Sequence, residues 1–126
     1  MILNEILIRD TGWINVDLSS SAFRLYGSGD VCQYRKIGKT VFLRGTIQPK
    51  NQIQSDQNTT IYTLPSGFYN TDRSICTVCQ GSGMNRWVLT VEANGRVTCS
   101  RYGTTTNSAI ANNVWLPFYL VFTLNN

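Results

Sequence analysis

The sequence predicts an all-β domain, an antiparallel β-sandwich or jelly roll, on three observations. Apolar residues recur with period two from Gly12 onward, as in Ile14, Val16 and Leu18, in Trp87, Leu89 and Val91, and in Leu116, Phe118, Leu120, Phe122 and Leu124. The segments are short and are separated by the turn chemistry of Gly, Pro and Asn at Gly38-Lys39, Pro65-Ser66-Gly67, Gly81-Ser82-Gly83 and Asn94-Gly95. No segment after residue 10 carries a helical period. Short strands at regular spacing make a sandwich, with a closed barrel as the alternative, and 126 residues is the size of one domain.

Taken in order, residues 1–10 differ from the rest, because Leu3, Ile6 and Leu7 recur at helical spacing. Residues 1–11 therefore read as a neck or linker segment, the last turns of a helix or simply an extended arm, ahead of a globular domain at 12–126. The first strand sets Ile14, Val16 and Leu18 opposite Trp13, Asn15 and Asp17, and Phe23 and Leu25 follow the serine run. Residues 33–47 form the central hairpin. Tyr34 and Ile37 close its first strand, Gly38 and Lys39 supply a tight turn, and Val41, Leu43 and Ile47 share one face of its second strand. Gly45 interrupts that strand, which predicts either a bulge or the close approach of another group. A polar loop over 49–58 precedes a strand at 61–64, and residues 68–73 lead into a strand at 75–79. Trp87, Leu89 and Val91 then face the core. Asn94-Gly95 is the strongest hairpin signal, and Val97 and Cys99 return on the same side.

The last strand, 114–124, is apolar on both faces. Leu116, Phe118, Leu120, Phe122 and Leu124 fill one, and Trp115, Pro117, Tyr119 and Val121 line the other. Such a strand needs two packing partners, the core and either a neighbouring subunit or a loop of the same chain. Leu3, Leu7, Trp115, Tyr119 and Val121 are accordingly the candidate oligomer interface, and a homotrimer is expected.

Charged residues make up only 14% of the chain, below the roughly 25% of ordinary soluble chains, so hydroxyl and amide groups must keep the surface wet. Runs such as Ser19-Ser20-Ser21 and Thr104-Thr105-Thr106-Asn107-Ser108 do this, a composition common on extracellular and virion β-proteins. The net charge of +4 is scattered, which argues against nucleic acid as a partner. No apolar run is long enough for a membrane-spanning helix. Cys76 and Cys79 invite a metal or redox reading, but in a strand positions three apart point to opposite faces. The four cysteines therefore read as ordinary buried or half-buried thiols, with a disulfide as the alternative, and no metal or cofactor is expected. No enzyme is expected either. The chain has no histidine, and Asp17, Asp30, Asp56, Asp72 and Glu92 are isolated rather than paired across a cleft.

Several of these segments coincide with a known pattern: Trp13 to Leu18, then Gln33-Tyr34-Arg35-Lys36-Ile37-Gly38 with Val41-Phe42-Leu43-Arg44-Gly45, then Thr63-Leu64-Pro65-Ser66-Gly67-Phe68, then Asn94-Gly95 and a Phe-rich closing strand. From Gly12 to Leu124 the chain resembles the C-terminal head domains of bacteriophage tail-fibre, baseplate and minor structural proteins, from long-tailed phages of Gram-positive bacteria. One departure is that such domains often carry Tyr-Arg-Pro after Leu-Pro-x-Gly, where this chain has Phe68-Tyr69-Asn70. The resemblance implies a β-sandwich head at the virion tail tip. Such a head is commonly a homotrimer, joined to other tail proteins and contacting host cell-wall or surface polysaccharide. The shared motifs look like scaffold: Gly38 and Gly45 for backbone geometry, Leu43, Leu64 and Pro65 for core and turn.

Recognition of a saccharide needs aromatic faces for the apolar side of the ring and fixed planar polar groups for its hydroxyls. The loops and strand ends supply Tyr69, Asn70, Asp72 and Arg73 after the Leu-Pro turn, Asn85 and Arg86 after the Gly-rich turn, and Arg101, Tyr102 and Asn107 around the Thr-rich loop. Trp87, in phase with Leu89 and Val91, reads as core. A modest positive charge suits a phosphate-bearing receptor. The alternative function is a trimerisation or assembly module of the tail tip with no external ligand.

Overall fold

The computed structural model describes residues 9–125 as two antiparallel sheets packed face to face. In chain order the strands are β1 (Ile14–Asn15), β2 (Phe23–Leu25), β3 (Cys32–Ile37), β4 (Thr40–Pro49), β5 (Thr59–Thr63), β6 (Ile75–Gln80), β7 (Arg86–Val91), β8 (Arg96–Gly103) and β9 (Leu116–Thr123). β4 is the spine of the first sheet. β3 and then β2 pair along one of its edges and β9 along the other, with β1 outside β3. The second sheet runs β5-β8-β7-β6. No described residue is helical. The sandwich is the predicted one.

The central hairpin forms as its residues dictate. Ile37 pairs Thr40 across the two-residue loop Gly38-Lys39. Gly38 alone takes positive φ, +61°, the type II′ pattern that matches strand twist. Along β4, Val41, Leu43, Gly45 and Ile47 are buried, alternating with the half-buried Thr40, Phe42, Arg44 and Thr46. The β3–β4 and β4–β9 registers run unbroken through Gly45, so of the two expectations for that glycine the bulge is wrong and the close approach right. The second hairpin signal also holds, in a different turn from a two-residue loop. Gly95 N donates to Glu92 O at 2.9 Å and Glu92 N to Arg96 O at 2.8 Å, and Gly95 sits at φ +91°. That is a three-residue loop, a type I turn closed by a glycine in the left-handed region.

The core gathers Phe23, Leu43, Ile47, Ile61, Trp87, Leu89, Ile110 and Leu116, all essentially without solvent contact. Trp87 is core, as its phase predicts. Its indole N–H donates to Gln80 O at 3.0 Å, and its ring meets Phe118 edge-on at 6.1 Å. The pleat separates Cys76, exposed, from Cys79, buried, and all four cysteines are free. Burial pushes the Cys32 thiol up to about 12 and Cys79 to about 11, and raises Cys99 further.

In β9 the alternation is as read. Leu116, Phe118 and Phe122 are buried, whereas Tyr119 and Val121 are 60% and 47% exposed. A covering loop of the same chain, one of the two expected partners for that outer face, is thus not found among the described residues. At the other end, Arg9 O accepts from Gly38 N at 2.8 Å, Thr11 N donates to Lys36 O, and Asp10 pairs with Arg35. Residues 9–11 are therefore laid along β3. Leu3 and Leu7 lie outside the described residues.

Candidate functional site

Of the residues expected at the site, the loop after the Leu-Pro turn is tied back to the scaffold. Tyr69 is half-buried with its ring over Gly95, where a Cβ would stand 2.6 Å from Tyr69 Cε1. Asn70 is buried. Its amide donates to Thr123 O at 3.2 Å and its Oδ1 accepts from Asn125 N at 2.8 Å, so it fastens the loop to the end of β9. Asp72 accepts from the Asn125 side chain and pairs loosely with the exposed Arg73 at 3.5 Å. Asn85 closes its own turn by donating to Ser82 O at 2.9 Å. Tyr102 is buried against Gly81, where a Cβ would meet Tyr102 Cε2 at 2.9 Å. Trp115 is half-buried just ahead of β9.

Three of the expected residues come together. Arg86, Arg101 and Asn107 line one recess of about 250 Å³ with Thr104, Thr105 and Thr106, on the outer side of the second sheet. Its shape is built in. Ser55 Oγ donates to the carbonyls of Tyr102 and Ser108, at 3.2 and 2.6 Å, pinning both ends of the Thr-rich loop. Arg86 Nη1 donates to Thr104 O at 2.7 Å.

The larger concavity was not foreseen. A groove of about 650 Å³ is lined by Trp13, Asp30, Arg44 and Tyr119, with the neighbours Gly29 and Val31 and the end of β6. β4 and β9 set Arg44 directly opposite Tyr119. Trp13, just before β1, reaches the same outer face, where the Arg44 guanidinium lies 3.8 Å from its ring centroid and Phe42 meets it edge-on. Arg44 is held in turn, since its Nε donates to Gln33 Oε1 at 2.9 Å and Gln33 donates to Asn15 Oδ1 at 2.7 Å. Nearby Arg35 is taken up by Asp10, whose carboxyl the guanidinium and the Gly12 N–H hold at about 2. The groove thus combines the rings of Trp13 and Tyr119 with the buried Phe118 beneath, a fixed planar donor and, among the described residues, one carboxylate, the set that saccharide recognition requires. The signal was present in Trp13 standing opposite the apolar face of β1, but its partner Arg44 is far away in sequence. Val78, 63% exposed, lines both groove and recess, so the two are neighbours on the surface. Among the described residues no three His, Cys, Asp or Glu side chains gather as a metal site.

No protein-family profile and no curated protein sequence matches the chain. Among solved structures, the architecture is similar to that of a phage head domain. The head domain of phage bIL170, presented with the receptor-binding domains of lactococcal phages, matches with a TM-score of 0.64 over 94% of this chain and 99% of that one, at 18% identity. At that identity the likeness is one of fold, and the fold is the one the sequence resemblance implied.

Proposed function

We propose that the chain is the receptor-binding head of a bacteriophage tail, acting at the tail tip of the virion, and that it takes host cell-wall or surface saccharide in the groove of Trp13 and Arg44. The observation that carries this reading is the stacked pair itself. An indole and a guanidinium 3.8 Å apart, the latter anchored by Gln33, form a pre-set surface with both apolar and hydrogen-bonding character. Tyr119 and Asp30 complete the lining, and the fold likeness to a phage receptor-binding head supports the setting. Among the described residues Asp30 is the one carboxylate lining the groove, whereas glycoside hydrolysis calls for two, which favours binding without cleavage.

The test is retention of the purified chain on isolated Gram-positive cell walls and on a glycan array. Trp13→Ala should weaken retention by about tenfold or more, the loss of a central aromatic contact. Asp30→Asn should weaken it less. Retention by Trp13→Ala equal to the parent's sinks the groove assignment.

A second reading, assembly without an external ligand, is favoured by the outward Tyr119 and Val121. On this reading a homotrimer, joined to other tail proteins, covers that face. Light scattering of the chain and of Val121→Glu tests it, since Val121 does not line the groove. A Val121-dependent trimer with no retention on any wall preparation would make assembly the function.

A further inference from the structure

We infer that Asn94-Gly95 is a site of spontaneous deamidation, and that the seat of the Tyr69 ring on Gly95 holds the reaction back while the chain is folded. The inference stands apart from the receptor reading and asks nothing of the groove.

It starts from the chemistry of the pair. In Asn-Gly no side chain shields the amide nitrogen that follows the asparagine, and the chain contains this pair once. Gly95 N attacks Asn94 Cγ, the new C–N bond closes a cyclic imide, and the side-chain nitrogen leaves as ammonia, carrying the proton that Gly95 N gave up. Water then opens the imide at either carbonyl, leaving aspartate or isoaspartate at 94. Water is the only reagent consumed. Asn94 is exposed, so water reaches it.

The fold cannot discard the reactive pair. Gly95 closes the β7–β8 loop at φ +91°, and a Cβ there would stand 2.6 Å from Tyr69 Cε1 and 2.9 Å from Leu64 O. A larger residue would be strained in both conformation and contact.

The fold instead immobilises the nucleophile. Gly95 N–H donates to Glu92 O at 2.9 Å, so the proton that must leave is held in a hydrogen bond. Gly95 O accepts from Leu64 N at 2.9 Å, which fastens the other side of the residue just beyond β5. The Asn94 side chain is engaged as well, its Oδ1 accepting from Arg96 N at 3.1 Å. Closing the imide means breaking these bonds and turning a peptide unit on which the Tyr69 ring rests, so conversion waits for the hairpin end to open. Isoaspartate, once formed, routes the main chain through the former side-chain carbon. The lengthened loop then no longer fits the bond of 2.8 Å from Glu92 N to Arg96 O.

The experiment ages the chain in mildly alkaline buffer, folded and in denaturant, and locates aspartate and isoaspartate by peptide mass spectrometry. In denaturant, position 94 should convert ahead of every other asparagine. In the folded chain it should convert roughly tenfold more slowly or less, the mark of a reaction gated by local opening. Tyr69→Phe keeps the ring and should match the parent, whereas Tyr69→Ala should speed conversion in the folded chain and leave the rate in denaturant unchanged. A second measurement, which needs no variant, is hydrogen exchange at Gly95 N–H in the parent. Exchange and conversion should rise together as sub-denaturing urea is added. Equal rates in the folded and denatured parent, a folded rate indifferent to Tyr69→Ala, or exchange that does not track conversion overturns the gate. Another asparagine converting first in denaturant overturns the site.

Discussion

The ring of Phe118 occupies the space that a side chain on Gly45 would need: a Cβ there would stand 2.7 Å from Phe118 Cζ and 3.0 Å from Val31 O. Gly45 is not at positive φ, so alanine is torsionally allowed and the whole penalty is contact. Withdrawal of Phe118 is resisted on one side by the fully buried Trp87, which it meets edge-on. Gly45→Ala should destabilise by about 1–3 kcal/mol in denaturant unfolding. Gly45→Ala with Phe118→Leu should cost less than the sum of the two single changes, by on the order of 0.5–3 kcal/mol. Strict additivity would mean that the contact does not decide the residue.

Asn70 belongs to the fold on this geometry, although its sequence position suggested the receptor. Replacing it with alanine strips Asn125 N and Thr123 O of partners and should cost about 1–3 kcal/mol. Retention on cell walls, measured where the variant is fully folded, should be unchanged. A loss of retention with normal stability would return Asn70 to the binding surface.

The cysteines divide by exposure. Cys76 should react at once with a thiol reagent, and Cys32, Cys79 and Cys99 only after unfolding, giving one fast thiol per chain and four in denaturant. The folded values of Cys32 and Cys79, about 12 and about 11, lie above the roughly 8.5 of an unfolded thiol. Their contribution is therefore complete below that pH and is lost as pH rises towards the folded values. Stability measured by chemical denaturation should fall across that alkaline window, and less steeply in Cys32→Ala.

Asp10 acts at the opposite end of the scale. Its folded value of about 2 is below the roughly 3.9 of an unfolded aspartate, so its contribution is present above the unfolded value and lost as pH falls towards 2. Its carboxyl resonance should titrate with a midpoint near 2. Asp10→Asn should flatten the acid limb of the stability profile between those values, and an unchanged limb would show that the exposed Arg35 pair contributes nothing.

Much of the architecture was legible along the chain. The period of two placed Val41, Leu43, Ile47, Trp87, Leu89 and Leu116 inside, and set Cys76 and Cys79 on opposite faces, because the pleat alone decides which way successive side chains point. Gly38 marked its turn because positive φ is a property of one residue. The candidate site was legible only in part. Arg86, Arg101 and Asn107 meet because the β7–β8 pairing and the loop that follows it are local.

Residue order along the chain is enough to specify a sandwich of short antiparallel strands with a closing strand apolar on both faces. Sheet pairing and packing were needed to make Gly45 yield to Phe118, to turn Asn70 and Tyr102 inward, and to stack Trp13 on Arg44 opposite Tyr119. The physical reason is the range of the interaction. Pleat and turn are set by neighbours along the chain, whereas each of these contacts joins strands or loops that come together only when the sheets pair and pack.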